Sequence, residues 1–308
     1  MHLLLTLGGL IALVIGAELM VRGAADLALR ARLSPLVIGL TVVSMGTSAP
    51  ELLVSLMADL KGSASIAIGN VVGSNIANIS LILGLSVLIF PIEVDRDAAR
   101  IHWPVMMGAS LLFWWLFADG SVSRGEGSLF IALLVAYVGW MVWSSRRSAL
   151  ARAQEPPSMA WWKAALLLVA GIVGLTYGAD WFVDGGVGLA RLAGVSELLI
   201  GVTVIAFGTS LPELVTSLVA AFRKQPDISL GNLIGSNIFN LLGIIGISAV
   251  VHPITGSSEA FRWDLVAMVG VAVLLLPLMR FGYRMGRWQG AVLSLAYAAY
   301  IVAVVVRG

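Results

Sequence analysis

The sequence predicts an all-α, polytopic membrane protein with ten transmembrane helices arranged as two inverted five-helix repeats. Three observations predict it. Apolar residues fill long blocks, the blocks number about ten, and a stretch rich in polar residues recurs in both halves at a constant offset. Of 308 residues, 59% are hydrophobic and 12% charged, with a mean hydropathy of +0.97. A soluble domain carries about 25% charged residues, so this composition cannot clothe an ordinary water-exposed surface. Each block is about 20 residues or more, enough for a helix to cross about 30 Å of hydrocarbon.

Taken in order, spans are expected near residues 3–29, 35–60, 64–90, 103–118, 126–145, 161–190, 196–222, 227–251, 263–280 and 288–306. The first starts at Met1 without a basic leader or a small-residue cleavage site, and reads as a retained helix, not a signal peptide. The longest polar connection, Ser144 to Ser158, holds Arg146, Arg147, Arg152 and Pro156-Pro157. It divides the chain into a first repeat (1–145), a cytoplasmic linker (146–160) and a second repeat (161–308).

Basic residues set the orientation. With the N-terminus outside, inner ends hold Arg30, Arg32, Arg96, Arg100, Arg146, Arg147, Arg152, Lys163, Arg223, Lys224, Arg280, Arg284 and Arg287. Outer ends hold only Lys61, Arg124, Arg191, Arg262 and Arg307. The chain is therefore expected in the cytoplasmic (inner) membrane with both termini outside. Net charge is +2, but the basic residues form no dense cluster, which argues against nucleic acid. Membrane lipid is the expected surrounding; no protein partner is evident. With no cysteine, disulfides, thiolate metal sites and cysteine nucleophiles are excluded.

Residues 39–84 and 201–246 align without a gap at an offset of 162, with 22 of 46 positions identical. The same offset pairs Glu18 with Asp180, Gly23 with Gly185 and Pro91 with Pro253. An odd number of spans per half makes the second copy enter from the opposite side. That relates the halves by a two-fold axis in the membrane plane, an arrangement whose substrate site lies near the midplane.

The first shared motif is Gly46-Thr47-Ser48-Ala49-Pro50-Glu51, echoed by Gly208-Thr209-Ser210-Leu211-Pro212-Glu213. Proline lacks an amide hydrogen and its ring clashes one turn back, so each helix should break there. Freed carbonyls in a membrane are tolerated only where they line a cavity or site. The following glutamate opens the resumed helix, where the dipole favours its ionised form. A mid-membrane acid costs about 2.5–3.5 kcal/mol on insertion scales, so two of them need a purpose.

The second motif is Gly69-Asn70-x-x-Gly73-Ser74-Asn75-x-x-Asn78, matched by Gly231-Asn232-x-x-Gly235-Ser236-Asn237-x-x-Asn240. Asn70, Ser74 and Asn78 fall on one helical stripe, and the paired glycines allow close approach of another helix. Ser74, Asn78, Ser236 and Asn240 are candidate ligands. Asn75 and Asn237 lie off the stripe, where interhelical bonding and ligation are equally open readings.

These donors are all oxygens, without histidine or cysteine, which argues against zinc, copper or nickel. A flexible cage of oxygens suits calcium, while magnesium prefers to retain water. Sodium also takes oxygen ligands, so a shared site for both cations fits. Enzyme chemistry is disfavoured: Ser48 and Ser210 lack a base, since His2, His102 and His252 lie near loops or the terminus.

Both motifs, in both halves, resemble the alpha-repeats of the calcium/cation antiporter superfamily, and the resemblance covers almost the whole chain. The Thr-Ser-x-Pro version is similar to the sodium/calcium exchangers of bacterial or archaeal type, membrane domain only. The resemblance implies an antiporter with no cofactor, whose cargo is calcium and sodium. It implies that Glu51 and Glu213 are central shared ligands and that the carbonyls of Thr47 and Thr209 complete a calcium site. Ser48, Ser74, Ser210 and Ser236 would serve flanking sodium sites, with the carbonyls of Ser44 and Ala206. Asn78 would line the middle, and the first and sixth spans would slide to alternate access. Asn240 stands where many sodium-coupled members carry aspartate, leaving two acids instead of three. A proton/calcium exchanger of the same fold is the alternative.

Overall fold

The structure is a computed structural model and describes residues 1–149, 157–195 and 208–307. It is helical throughout apart from four two-residue strands. The helices are α1 (His2–Ala31), α2 (Pro35–Thr47), α3 (Ala49–Leu60), α4 (Ala64–Ile89), α5 (Ala98–Asp119) and α6 (Arg124–Ala149). Then follow α7 (Trp161–Leu192), α8 (Leu211–Phe222), α9 (Pro226–Val251), α10 (Ser258–Arg280) and α11 (Arg287–Arg307).

Among the described residues eight helices are long and apolar enough to cross a membrane, and α2 with α3, bent by 47°, passes the same test as a pair, a broken span or a re-entrant loop. The sequence placed a seventh span at 196–222; of it, α8 is described and residues 196–207 lie outside the described residues. The fourth span begins at Ala98, five residues earlier than the sequence suggested, because a π-helical turn (Ala98–His102) precedes Trp103.

The bend between α2 and α3 falls at Ser48 (φ −84°, ψ 9°), and Ser210 before α8 has the same backbone (φ −89°, ψ 4°). Pro50 and Pro212 sit in the first turn of the resumed helices, where proline's missing amide costs nothing within the helix. Pro50 has no N–H to return to the Gly46 carbonyl. The backbone ladder crosses the bend through Ser48 N to Ser44 O (3.0 Å) and Leu52 N to Ser48 O (3.1 Å).

The centre of the molecule is made by α4 and α9. Within their most apolar stretch, 72% of α4 and 83% of α9 is buried, against at most 39% for the other unbroken spans. Both helices widen to π-turns at matching places, Ala77–Ile82 and Phe239–Ile245. Helix α2 lies against α9, where Gly231 and Gly235 leave the room: a Cβ on either would come within 2.6 Å of the Leu36 or Leu40 carbonyl. The equivalent neighbour of Gly69 and Gly73 lies outside the described residues.

Helices α1 and α7 pack along their length at the edge of the bundle. Gly9, Gly16 and Gly23 recur every seven residues on α1, as do Gly171, Gly178 and Gly185 on α7. At the centre, a Cβ on Gly171 would lie 2.5 Å from Met20 N and 2.7 Å from Gly16 O. The backbones therefore touch, as small residues allow in a medium that gives no hydrophobic drive to helix association. The outward faces of both helices carry large apolar side chains such as Leu4, Ile11, Val169 and Tyr177.

The four strands tie the halves together. β1 (Ile92–Glu93) pairs with β4 (Arg284–Met285), and β2 (Ser121–Val122) pairs with β3 (Ile254–Thr255). Asp26, buried on α1, accepts from Ser158 N (2.6 Å), Ser158 Oγ (3.0 Å) and Met159 N (3.2 Å), and from Arg30 Nε (3.0 Å). Asp264 lies in α10 and accepts from the Tyr300 hydroxyl at 2.9 Å.

Candidate ion site

The broken helices and the two central helices converge on one polar region in the interior. Glu51 and Glu213 stand in the first turns of α3 and α8, each 1% exposed. They lie near enough for their charges to interact. Ser48, the residue at the first bend, donates its hydroxyl to Glu213 Oε1 at 2.9 Å, which joins the first motif of one half to that of the other. Thr47 does likewise: its hydroxyl donates to Asn232 Oδ1 at 3.0 Å.

Asn70 and Asn232 hold the acids' helices in place. Asn70 Nδ2 donates to Ser55 Oγ (2.9 Å) and to the Glu51 carbonyl (3.3 Å). Asn232 Nδ2 repeats this on Ser217 Oγ (3.1 Å) and the Glu213 carbonyl (3.5 Å). Sequence reasoning missed Ser55 and Ser217. Their signal is there, since they are identical at the 162-residue offset and stand one turn after each glutamate.

The remaining asparagines form a closed brace between α4 and α9. Asn75 Nδ2 donates to the Asn237 carbonyl (3.3 Å), and Asn237 Nδ2 donates to the Asn75 carbonyl (3.1 Å). Asn78 Nδ2 donates to Asn237 Oδ1 and Asn240 Nδ2 to Asn75 Oδ1, both at 3.1 Å. Asn75 and Asn237 are thus interhelical ties, which decides between the two readings left open by sequence. Asn78 and Asn240 are fixed through nitrogen, leaving each Oδ1 without a partner.

Those two oxygens belong to a larger set. Glu51 Oε2, Glu213 Oε2, Asn78 Oδ1, Asn240 Oδ1, Ser210 Oγ and Ser236 Oγ are all buried without a hydrogen-bond partner among the described residues. A buried unsatisfied polar group costs about 1–3 kcal/mol, more when charged. Six such oxygens on the paired motifs are a heavy burden unless something that attracts oxygen completes them. Among the described residues no basic side chain pairs with Glu51 or Glu213. No group of three or more His, Cys, Asp or Glu gathers there either, so beyond the two acids the donors are amides, hydroxyls and carbonyls.

Ser74 is buried on α4, and Thr209 is half-buried beside Ser210. Ser44 is buried too; its carbonyl accepts from Ser48 N (3.0 Å), and the single Thr47 hydroxyl hydrogen has it (3.2 Å) and Asn232 Oδ1 (3.0 Å) as alternative acceptors. Ala206 lies outside the described residues. Glu18, also within a span, pairs with Arg22 one turn on and with Arg223, from which it accepts the Nε hydrogen at 2.8 Å.

A family model described as sodium/calcium exchanger protein matches residues 1–143 and 163–306. The sodium/calcium exchanger MaX1 of Methanosarcina acetivorans is 31% identical, covering 98% of this chain and 97% of its own. Inner membrane protein YrbG of Escherichia coli is 34% identical over 95% of this chain and 93% of its own. The solved structure of the sodium-calcium exchanger NCX_Mj, soaked with sodium and calcium, superposes with a TM-score of 0.84 at 33% identity. It covers 98% of this chain and 97% of that one. With two buried glutamates on matched motifs and this match over nearly its whole length, the chain belongs to the sodium/calcium exchanger family of integral membrane antiporters.

Proposed function

We propose that this chain exchanges calcium for sodium by alternating access, with both cations using one midplane site between two inverted repeats. The observation that carries this reading is the set of six partnerless buried oxygens contributed by both halves. Two carboxylates balance one divalent ion, and neutral oxygens complete a coordination number that calcium accepts and magnesium does not favour. Glu51 and Glu213 are the shared central ligands. Asn78, Asn240 and the carbonyls of Thr47 and Thr209 complete the calcium shell. Ser48, Ser74, Ser210 and Ser236 serve flanking sodium positions, with Ala206. Ser44 joins them through its carbonyl, one lone pair of which is free when the Thr47 hydroxyl donates to Asn232 Oδ1. An empty site with two ionised acids is costly to carry through the barrier, and this enforces exchange over leakage.

The strand pairings support ten crossings in two five-helix repeats, 1–145 and 161–308, joined by the linker 146–160. Paired strands must lie on one membrane face, so an even number of crossings separates them. Between β1 and β4 the described helices α5, α6, α7, α9 and α10 supply five candidate crossings, and the parity requires a sixth, which we assign to the seventh span expected from the sequence. The basic residues then put the linker in the cytoplasm and both termini outside, in the inner membrane, the location named for YrbG.

Reconstituted vesicles test the reading. An outward sodium gradient should drive calcium uptake, and Glu51→Gln or Glu213→Gln should reduce it by about two orders of magnitude or more, since each removes a charged ligand. Normal flux in either variant contradicts the proposal. Uptake driven by a pH gradient without sodium would instead establish proton coupling.

A further inference from the structure

The contact between Glu18 and Arg223 has no counterpart in the mechanism so far. Glu18 lies in the middle of α1, and Arg223 follows the last turn of α8. They meet beside a cleft of about 400 Å3, lined by Val14, Ile15, Phe90, Leu218 and Phe222. At this level an ion pair joins the helices beside an apolar cleft. Such a contact can break without exposing a packed core.

The 162-residue offset maps Glu18 onto Asp180, Arg22 onto Asp184 and Lys61 onto Arg223. The second half thus carries the same acid on α7 and the same base after α3. The two contacts differ in state. Glu18 is bound to Arg223 and Arg22, whereas neither Asp180 nor Lys61 has an ion-pair partner among the described residues. Both are exposed, and Asp180 instead faces the like charge of Asp184 one turn on.

We propose that Glu18–Arg223 and Asp180–Lys61 are two charge latches on opposite membrane faces, of which one is shut at a time. The glycine backbones of α1 and α7 interlock, so the two helices move as one body. A displacement that draws Glu18 away from Arg223 carries Asp180 along with it, toward Lys61. Arg22 travels with Glu18 and keeps it compensated when the inner latch opens. Asp184 has no such role: it repels Asp180 while the outer latch is open, and closing on Lys61 relieves that repulsion. This structure has the inner latch shut and the outer one open. The proposal rests on exchange by alternating access.

Paired cysteines test it cleanly, since the native chain has none. One variant combines Glu18→Cys with Arg223→Cys, the other Asp180→Cys with Lys61→Cys. Each is treated in vesicles with a reducible bifunctional thiol reagent matched to the reach of the replaced side chains, with the single-cysteine variants as controls for folding. Each cross-link should stop sodium-driven calcium flux, and reduction should restore it. Adding Glu18→Gln to the outer pair should raise its cross-linking yield about fivefold, the effect of losing one partly exposed ion pair. An outer yield indifferent to Glu18→Gln, or both links forming together in a quadruple variant, overturns the latches. Absence of sodium-driven flux in the unmodified chain would refute the exchange reading instead, while the cross-linking yields would still decide the latches.

Discussion

Asn75 and Asn237 use their whole amides to hold α4 to α9, and by doing so they orient Asn78 and Asn240. The free Oδ1 of each outer asparagine is a consequence of the brace, not of local preference. This gives the departure at position 240 a physical meaning. Asparagine there supplies the hydrogen that Asn75 Oδ1 accepts; aspartate would put an acceptor against an acceptor. Asn240→Asp is therefore expected to lower stability without cations by about 1–3 kcal/mol. Calcium should recover that loss and bind more tightly, because a third carboxylate joins the shell. Thermal melting with and without calcium checks both effects. Equal stability without calcium would show that the Asn75–Asn240 bond is not needed. The residue types of this site were legible in sequence because acids and amides have no other business in an apolar block. The division between ties and ligands was not, since it depends on which amide atom faces which helix.

Among the elements, the bend at Ser48 follows from Pro50, and Pro212 opens α8 in the same way after Ser210; this chemistry is local and plain in the chain. The π-turns at Ala77–Ile82 and Phe239–Ile245 do not follow from composition. They arise where the central helices must present Asn78 and Asn240 inward and still pack tightly, and such turns gather at functional places. The seven-residue glycine spacing on α1 and α7 was visible as letters, but only the folded chain shows that the two rows face each other. Gly16→Leu should force these helices apart, costing about 1–3 kcal/mol and depressing exchange. Gly8→Leu is the control, because a Cβ on Gly8 meets nothing within 4 Å. Melting temperature and flux of both variants test the point; equal behaviour would mean that the close approach is dispensable.

At the scale of the whole molecule, duplication explains how much could be anticipated. A gapless offset writes the pairing of the motifs into the chain, and the Ser48–Glu213 bond joins the two motifs that the offset pairs. Duplication also explains what stayed hidden. On the proposed alternation only one latch is shut at a time; Glu18–Arg223 is made, while Asp180 and Lys61 have no ion-pair partner among the described residues. That difference is a property of one conformation and has no trace in residue identity. All of it depends on a cation resting between the acids of the two halves. Anomalous diffraction from calcium-soaked crystals measures this most directly. A single strong peak between the Glu51 and Glu213 carboxylates, weakened as sodium is raised, is the predicted result. A peak elsewhere, or none between those carboxylates at saturating calcium, would contradict it.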